Sequence, residues 1–369
     1  MPSSSESRAS VSRSRKRRRP FEIKRSPMYM MSATKFLELY ESGAKLLECH
    51  QVLKERGDLM LFNVSPLDDH SHEGVFIFVC HEWASYLHPD PRGYHTRILC
   101  RTLRQMYERR NRTFPIYHRA AILEKMIPGI GIVESAEKTW NFDLNKMWIW
   151  MDYMSINQNV PLPVSIDMAH KVNISAANMV SNIQEIAAMN LATYIESADI
   201  VLLHTPEIPK SSMVKSHSLG RLEISQMTLI KRGWCVLELT ASLLSIRKQQ
   251  ILFMSRSDGL PFCVSKYRVY ESMKVGSCEF TCCATNHEFM DRVHVECDRE
   301  IAFKVLNKMI DRKINYLWYH GLKHKARTYI ANRKGYLDEL QDTKSYQNDA
   351  RYRDSMSLDD PLKHFMYVE

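Results

Sequence analysis

The sequence predicts an α/β protein built on a parallel sheet with helices on both faces, plus flanking helical segments. Three observations predict it. Four short apolar runs, VFIFVC (Val75 to Cys80), MWIWMDY (Met147 to Tyr153), DIVLLHT (Asp199 to Thr205) and QILFMS (Gln250 to Ser255), read as strands, the first of them buried on both faces. Stretches with helical periodicity alternate with them, the arrangement of parallel strands joined by crossovers. Polar and aromatic residues gather at the carboxyl ends of the runs, where open parallel sheets bind ligands.

The elements follow in chain order. Residues 1–30, rich in Ser, Arg and Pro, read as a disordered basic tail. Residues 31–74 form an N-terminal helical segment: Phe36, Leu37, Tyr40, Leu46, Leu47 and Val52 recur at helical spacing between Ser32, an expected N-cap, and Arg56. Gly43 is a possible break, and LMLF before Asn63 reads as a loop or short strand. Residues 75–255 make the α/β domain. Its helices are expected from Tyr94 to about Arg110 and from Ile174 to Ser197, with one or two helical turns over Ala120–Met126. A short amphipathic helix is expected over Arg232–Ser245, with Leu237, Leu239, Leu243 and Leu244 in one stripe and Trp234 and Glu238 one turn apart on another face. Residues 256–335 read as a Cys-rich and helical accessory region, with helices over Arg299–Arg312 and Tyr316–Asn332, and residues 336–369 as a charged C-terminal tail.

Composition excludes several classes. The net charge is +9, but residues 1–26 hold nine Lys or Arg against two Glu, a net +7, which leaves +2 for residues 27–369. Attraction to nucleic acid therefore belongs to the basic tail alone, if anywhere. No apolar run approaches the roughly 18 residues of a membrane span. The N-terminus lacks the apolar core of a secretory signal. Nine cysteines, an odd number, fit reduced thiols in a cytoplasmic protein, and the Lys16–Arg19 cluster is a candidate nuclear-targeting tag. Cys278, Cys282, Cys283, His287, His294 and Cys297 fall close together but lack paired C-x-x-C knuckles, so they read as packed thiols and no metal is expected. Gly129-Ile-Gly131 is no dinucleotide fingerprint, and no G-x-S-x-G elbow is present.

The rim of the predicted sheet collects His81, Glu82 and Trp83 after the first strand, Asp152, Ser155, Asn157 and Gln158 after the second, and His204 and Thr205 after the third. Trp234 and Glu238 follow on the next helix. In order, the strand ending in HEW, the string WMDYMSINQ, the string YIESADIVLL and the string RGWCVLEL resemble the heterokaryon-incompatibility (HET) and TIR family. Where the HET pattern typically reads W-I/V-D-x-x-C-I-N-Q, this chain reads WMDYMSINQ, with Ser155 where Cys is usual, and R-G-W-x-x-x-E is matched by Arg232, Gly233, Trp234 and Glu238. GWCVLEL is also similar to the plant-type TIR string S-x-W-C-L-x-E-L. The resemblance spans roughly Val75 to Ser255. It departs in a longer loop over 206–231 and in lacking the Gly-rich turn after the second strand.

The resemblance implies a flavodoxin-like sheet and, as in enzymatic TIR members, cleavage of the nicotinamide–ribose bond of NAD with Glu238 as catalytic carboxylate. Such cleavage builds positive charge on the ribose, which a fixed carboxylate stabilises. Trp83 and Trp234 are then candidates for stacking, Asp152 or Ser155 for the ribose hydroxyls, and His81 for orienting the ligand. NAD is a substrate in this reading and no cofactor is expected. The competing reading is a non-catalytic TIR/HET-like module that signals by self-association as a homo-oligomer.

Overall fold

The four apolar runs form the centre of one seven-stranded sheet in the computed structural model. Its strands are β1 (Ser26–Ser32), β2 (Met60–Val64), β3 (Val75–His81), β4 (Met147–Trp150), β5 (Ile200–His204), β6 (Gln250–Met254) and β7 (Phe262–Cys263), in the order β2-β1-β4-β3-β5-β6-β7. A separate hairpin pairs β8 (Glu288–Phe289) with β9 (Val293–His294). The helices are α1 (Ala33–Tyr40), α2 (His50–Arg56), α3 (Tyr94–Glu108), α4 (Asp152–Ser155), α5 (Gly233–Leu244), α6 (Asp298–Tyr319) and α7 (Lys323–Gln341). The structure describes residues 23–68, 73–84, 88–109, 143–158, 190–206, 229, 231–247, 249–254, 261–263, 275–280, 283, 288–289, 293–294 and 297–341. The turns expected over Ala120–Met126, most of the Ile174–Ser197 helix, and the 336–369 tail beyond α7 lie outside them.

Strands β4, β3, β5 and β6 run parallel. The flanks are antiparallel: β1 against both β2 and β4, and β7 against β6. The chain steps from β3 to β4 on one side, then recrosses to place β5 on the other side of β3. Strand order therefore reverses between β3 and β5, the place where open α/β sheets bind ligands. His81 and His204 are register partners there.

Period-two alternation of apolar residues buries both faces of the sheet. Phe76, Phe78 and Cys80 share one core with Trp150, Val201, Leu203 and Ile251, covered by α5, α6 and the helical stretch 190–197. Ile77 and Val79 share the other with Ile149, Ile200, Leu202 and Leu252, covered by α1 and α3. A sheet wet on one face would show polar residues at every second position; these strands do not.

The N-terminal segment differs from its sequence reading at its start. Residues 26–30 are paired rather than disordered: β1 inserts Met28 and Met30 into one core and Met31 into the other. Its methionines carry little β-propensity, so tertiary packing rather than local preference makes it a strand. The helical run over 32–56 is divided at the break that Gly43 offered. Ser32 caps α1 by accepting the Lys35 N–H at 3.2 Å, as expected, but the helix ends at Tyr40. Gly43 (φ 71°) turns the chain before α2 begins at His50.

One buried ion pair ties α6 to the sheet side of the molecule. The Glu196 side chain is fully buried and pairs with Arg312. Burial pushes its carboxyl upward, and the guanidinium opposes that shift. Arg312→Met leaves the carboxylate buried without its cation, and a loss of about 3–5 kcal/mol is expected in urea unfolding. Adding Glu196→Leu should recover most of it; a single variant within 1 kcal/mol of wild type, roughly the value of an exposed pair, would contradict the pairing. Among the described residues, no helix is long and apolar enough to cross a membrane.

Candidate functional site

Three residues expected at the rim meet around one carboxylate. Asp152 opens α4 directly after β4, where its backbone leaves the sheet. The Trp83 indole N–H donates to Asp152 Oδ2 at 2.8 Å, and His81 Nε2 lies 3.5 Å from Asp152 Oδ1. Trp83 also meets the Tyr153 ring edge-on, with centroids 5.6 Å apart. Asp152 keeps about a third of its side chain exposed (32%), so this carboxylate is held from the protein side and open on the other. Ser155 has a different position: its buried hydroxyl accepts the Met151 N–H at 3.2 Å and so closes the α4 turn.

Each position of the R-G-W-x-x-x-E string has a physical task. Arg232, the N-cap of α5, donates through Nε to the fully buried Glu82 at 3.0 Å and fastens the helix start to the end of β3. Gly233 lies under Phe280, whose ring a Cβ would strike. Trp234 turns away from the rim, donating its indole N–H to Asp298 at 2.9 Å and meeting the Phe280 ring edge-on. Glu238, one turn later, is buried at 9% exposure. Burial pushes its carboxyl up to about 8; a hydrogen bond from the Cys80 thiol works against this, and repulsion from Asp152 adds to it. At neutral pH Glu238 therefore holds a proton, in the field of the Asp152 carboxylate.

The α5 helix is not amphipathic in its surroundings. Ten of its twelve residues are buried, because α6 and Phe280 cover the face that sequence periodicity assigns to solvent. A polar face on such a helix must find internal partners, and among the described residues Glu238 finds a thiol and a like charge. That is an expensive arrangement, of the kind found at functional sites.

The rim also holds groups that sequence reading passed over. His95, in the first turn of α3, stands against His204 with ring centroids 5.7 Å apart, and the His204 Nε2 sits 2.9 Å from the His95 carbonyl oxygen. Both rings are buried. Desolvation chiefly pushes each down to about 3, so both are neutral. Among the described residues, both His95 ring nitrogens, His81 Nε2, His204 Nδ1 and Thr205 Oγ1 have no hydrogen-bond partner. Asp90 occupies the α3 N-terminus, accepting from the Tyr94 N–H, the Thr96 N–H and the Thr96 hydroxyl at 2.7–2.8 Å. With an anion already there, that helix end is closed to a phosphate. The signal for His95 was faint: one His just inside a helix that follows a strand.

Among the described residues, no group of three or more His, Cys, Asp or Glu side chains is arranged to hold a metal ion. Cys282 and His287 of the Cys-rich stretch lie outside the described residues. No protein-family model, no curated protein and no solved structure matches the chain.

Proposed function

We propose that the chain is a flavodoxin-like α/β protein of the HET/TIR type that hydrolyses the nicotinamide–ribose bond of NAD, with Glu238 as catalytic carboxylate. The order of its parallel strands, second-first-third-fourth by position in the chain, supports the flavodoxin-like reading. The observation that carries the function is the pair of carboxylates, Glu238 buried and Asp152 open, beside the point where strand order reverses. As the bond breaks, its electron pair passes to the pyridinium nitrogen, which leaves as neutral nicotinamide. Positive charge moves to the ribose, where an ionised Glu238 stabilises it. Water then adds to the ribose carbon and releases a proton. In this reading Trp83 stacks on the nicotinamide, Asp152 holds the ribose hydroxyls and His81 steadies Asp152. Trp234 and Ser155 support the helix and the turn instead of touching substrate.

The reaction needs Glu238 ionised, and in the free protein that form is gained only as pH rises through about 8. The kcat/KM for nicotinamide release is accordingly expected to climb close to tenfold per pH unit below 8 and to level above it. Glu238→Gln should lower kcat by about 10²–10³. Equal nicotinamide release by wild type and variant, or none from wild type under conditions that allow oligomerisation, would sink this reading.

A different observation favours the second reading, a non-catalytic module acting by self-association. β2 lies at the edge of the sheet, its sequence MLFNV carries no charge, and Met60 and Leu61 are about half exposed (53% and 51%). Uncharged apolar edge strands pair with further strands. Light scattering across a concentration range should show a growing mass that Leu61→Lys abolishes. A strict monomer at high concentration contradicts this reading.

A further inference from the structure

Two thiols in the accessory region stand in contact yet play no part in the proposed chemistry. Cys283 and Cys297 lie on either side of the β8–β9 hairpin in the chain, and their sulfurs are 3.8 Å apart. Both are partly exposed. A disulfide brings its sulfurs to about 2.0 Å with Cβ atoms roughly 3.5–4.5 Å apart, a change that side-chain rotation from contact distance can supply. Their neighbour in the chain matters. Cys297 is the N-cap of α6, and the next residue, Asp298, accepts the indole N–H of Trp234 at 2.9 Å. Trp234 belongs to α5, the helix of Glu238.

Another pair of adjoining thiols among the described residues has opposite surroundings. Cys80 and Cys235 are buried beneath the rim, with the Cys235 Sγ only 3.5 Å from the His81 carbonyl oxygen. The contact with Cys235 and burial hold the Cys80 thiol well above its ordinary range. Reactivity follows thiolate character and access, so an oxidant reaches the accessory pair and not the core pair.

We propose that Cys283 and Cys297 are a redox modification site, closing reversibly to a disulfide under a two-electron oxidant of the peroxide class, and that the bond acts on α5 through Asp298 and Trp234. One thiolate attacks a peroxide oxygen and breaks the O–O bond, giving a sulfenic acid and the first water. The second thiol attacks the sulfenic sulfur, expels hydroxide, and its proton completes the second water. Two thiols and one hydrogen peroxide give one disulfide and two waters. A dithiol reductant reverses the step by exchange. This site stands whether or not Glu238 cleaves NAD.

The test uses the full chain, reduced, treated with hydrogen peroxide, alkylated and digested with trypsin without reductant. The peptide of residues 275–292 should be found linked to that of residues 293–299, lighter than their sum by two hydrogens, with fragmentation placing the link on Cys283 rather than Cys278 or Cys282. Dithiothreitol should restore both peptides, and Cys297→Ser should abolish the link. Hydrogen exchange over residues 233–244 should differ several-fold between reduced and oxidised wild type but not in Cys297→Ser. No link at excess peroxide, a link on another cysteine, or over-oxidation of Cys297 in its place overturns the site. A link that leaves exchange in α5 unchanged overturns its action on Glu238's helix. Peptide mapping of the wild type decides the first point even where a variant folds poorly.

Discussion

Lowering the pH from 6.5 to 4.5 is expected to remove about 5 kcal/mol of folding stability through two side chains, His95 and His204. Burial is the main cause for both: each ring is pushed from 6.5 down to about 3, and neighbouring imidazoles push it further in the same direction. In the unfolded chain both rings take up protons near 6.5, whereas in the folded protein neither does so until about 3. Between those values the unfolded state binds more protons, so stability is complete above 6.5 and is lost as pH falls. Each ring contributes about 1.4 kcal/mol per pH unit over this window. Whole domains are stable by only about 5–15 kcal/mol, so this contribution is a large fraction of the total, about half of it offset over the same window by the opposite titration of Glu238. Urea midpoints measured across the window test this. The double variant His95→Gln, His204→Gln should lose about 2.7 kcal/mol per pH unit of the slope, whatever its absolute stability. An unchanged slope would show that these rings already accept protons in the folded state.

How much of this was legible in the sequence depends on where each signal was stored. The parallel strands were readable because burial on both faces forces unbroken apolar runs, as in VFIFVC and IVLL. The ends of the first two runs carry His81, Trp83 and Asp152, and the structure brings those three into contact. β1 was hidden because SPMYMMS sits beside a basic, Ser-rich tail and owes its strand form to pairing with β2 and β4. α5 was misjudged for a related reason. Periodicity reports which faces differ in polarity, not what covers them, and the cover here comes from Phe280 and α6, distant in the chain. The same ignorance of partners left Trp234 as a stacking candidate: nothing near it in sequence announces Asp298, 64 residues on. Arg232 and Gly233 were recognised as a pattern, but their tasks, pairing with Glu82 and seating Phe280, are visible only in three dimensions.

Glu238→Gln is expected to stabilise the protein at pH 8 and above while leaving it nearly unchanged at pH 4.5. The unfolded carboxyl ionises near 4.5, but burial keeps the folded one protonated up to about 8. Between these values the folded state binds more protons, so stability falls as pH rises, by about 1.4 kcal/mol per unit. The full cost is bounded at roughly 4–5 kcal/mol. A glutamine has no charge to desolvate and escapes it. This slope opposes that of His95 and His204. From pH 4.5 to 6.5 the histidines gain about 2.7 kcal/mol per unit against about 1.4 lost at Glu238; from 6.5 to 8 only the loss remains. These three groups place a maximum near pH 6.5, and Glu238→Gln should lessen the decline above it by about 1.4 kcal/mol per unit. A buried acid kept at such cost, with a like charge nearby and no cation opposite among the described residues, is explained if a cationic ligand completes the site, because a positive charge beside Glu238 would draw off its proton. NAD, with its pyridinium ring, is a ligand of that kind. If the variant gains no stability at pH 8, the carboxylate is already satisfied in the free protein, and the argument for a cationic substrate falls with it.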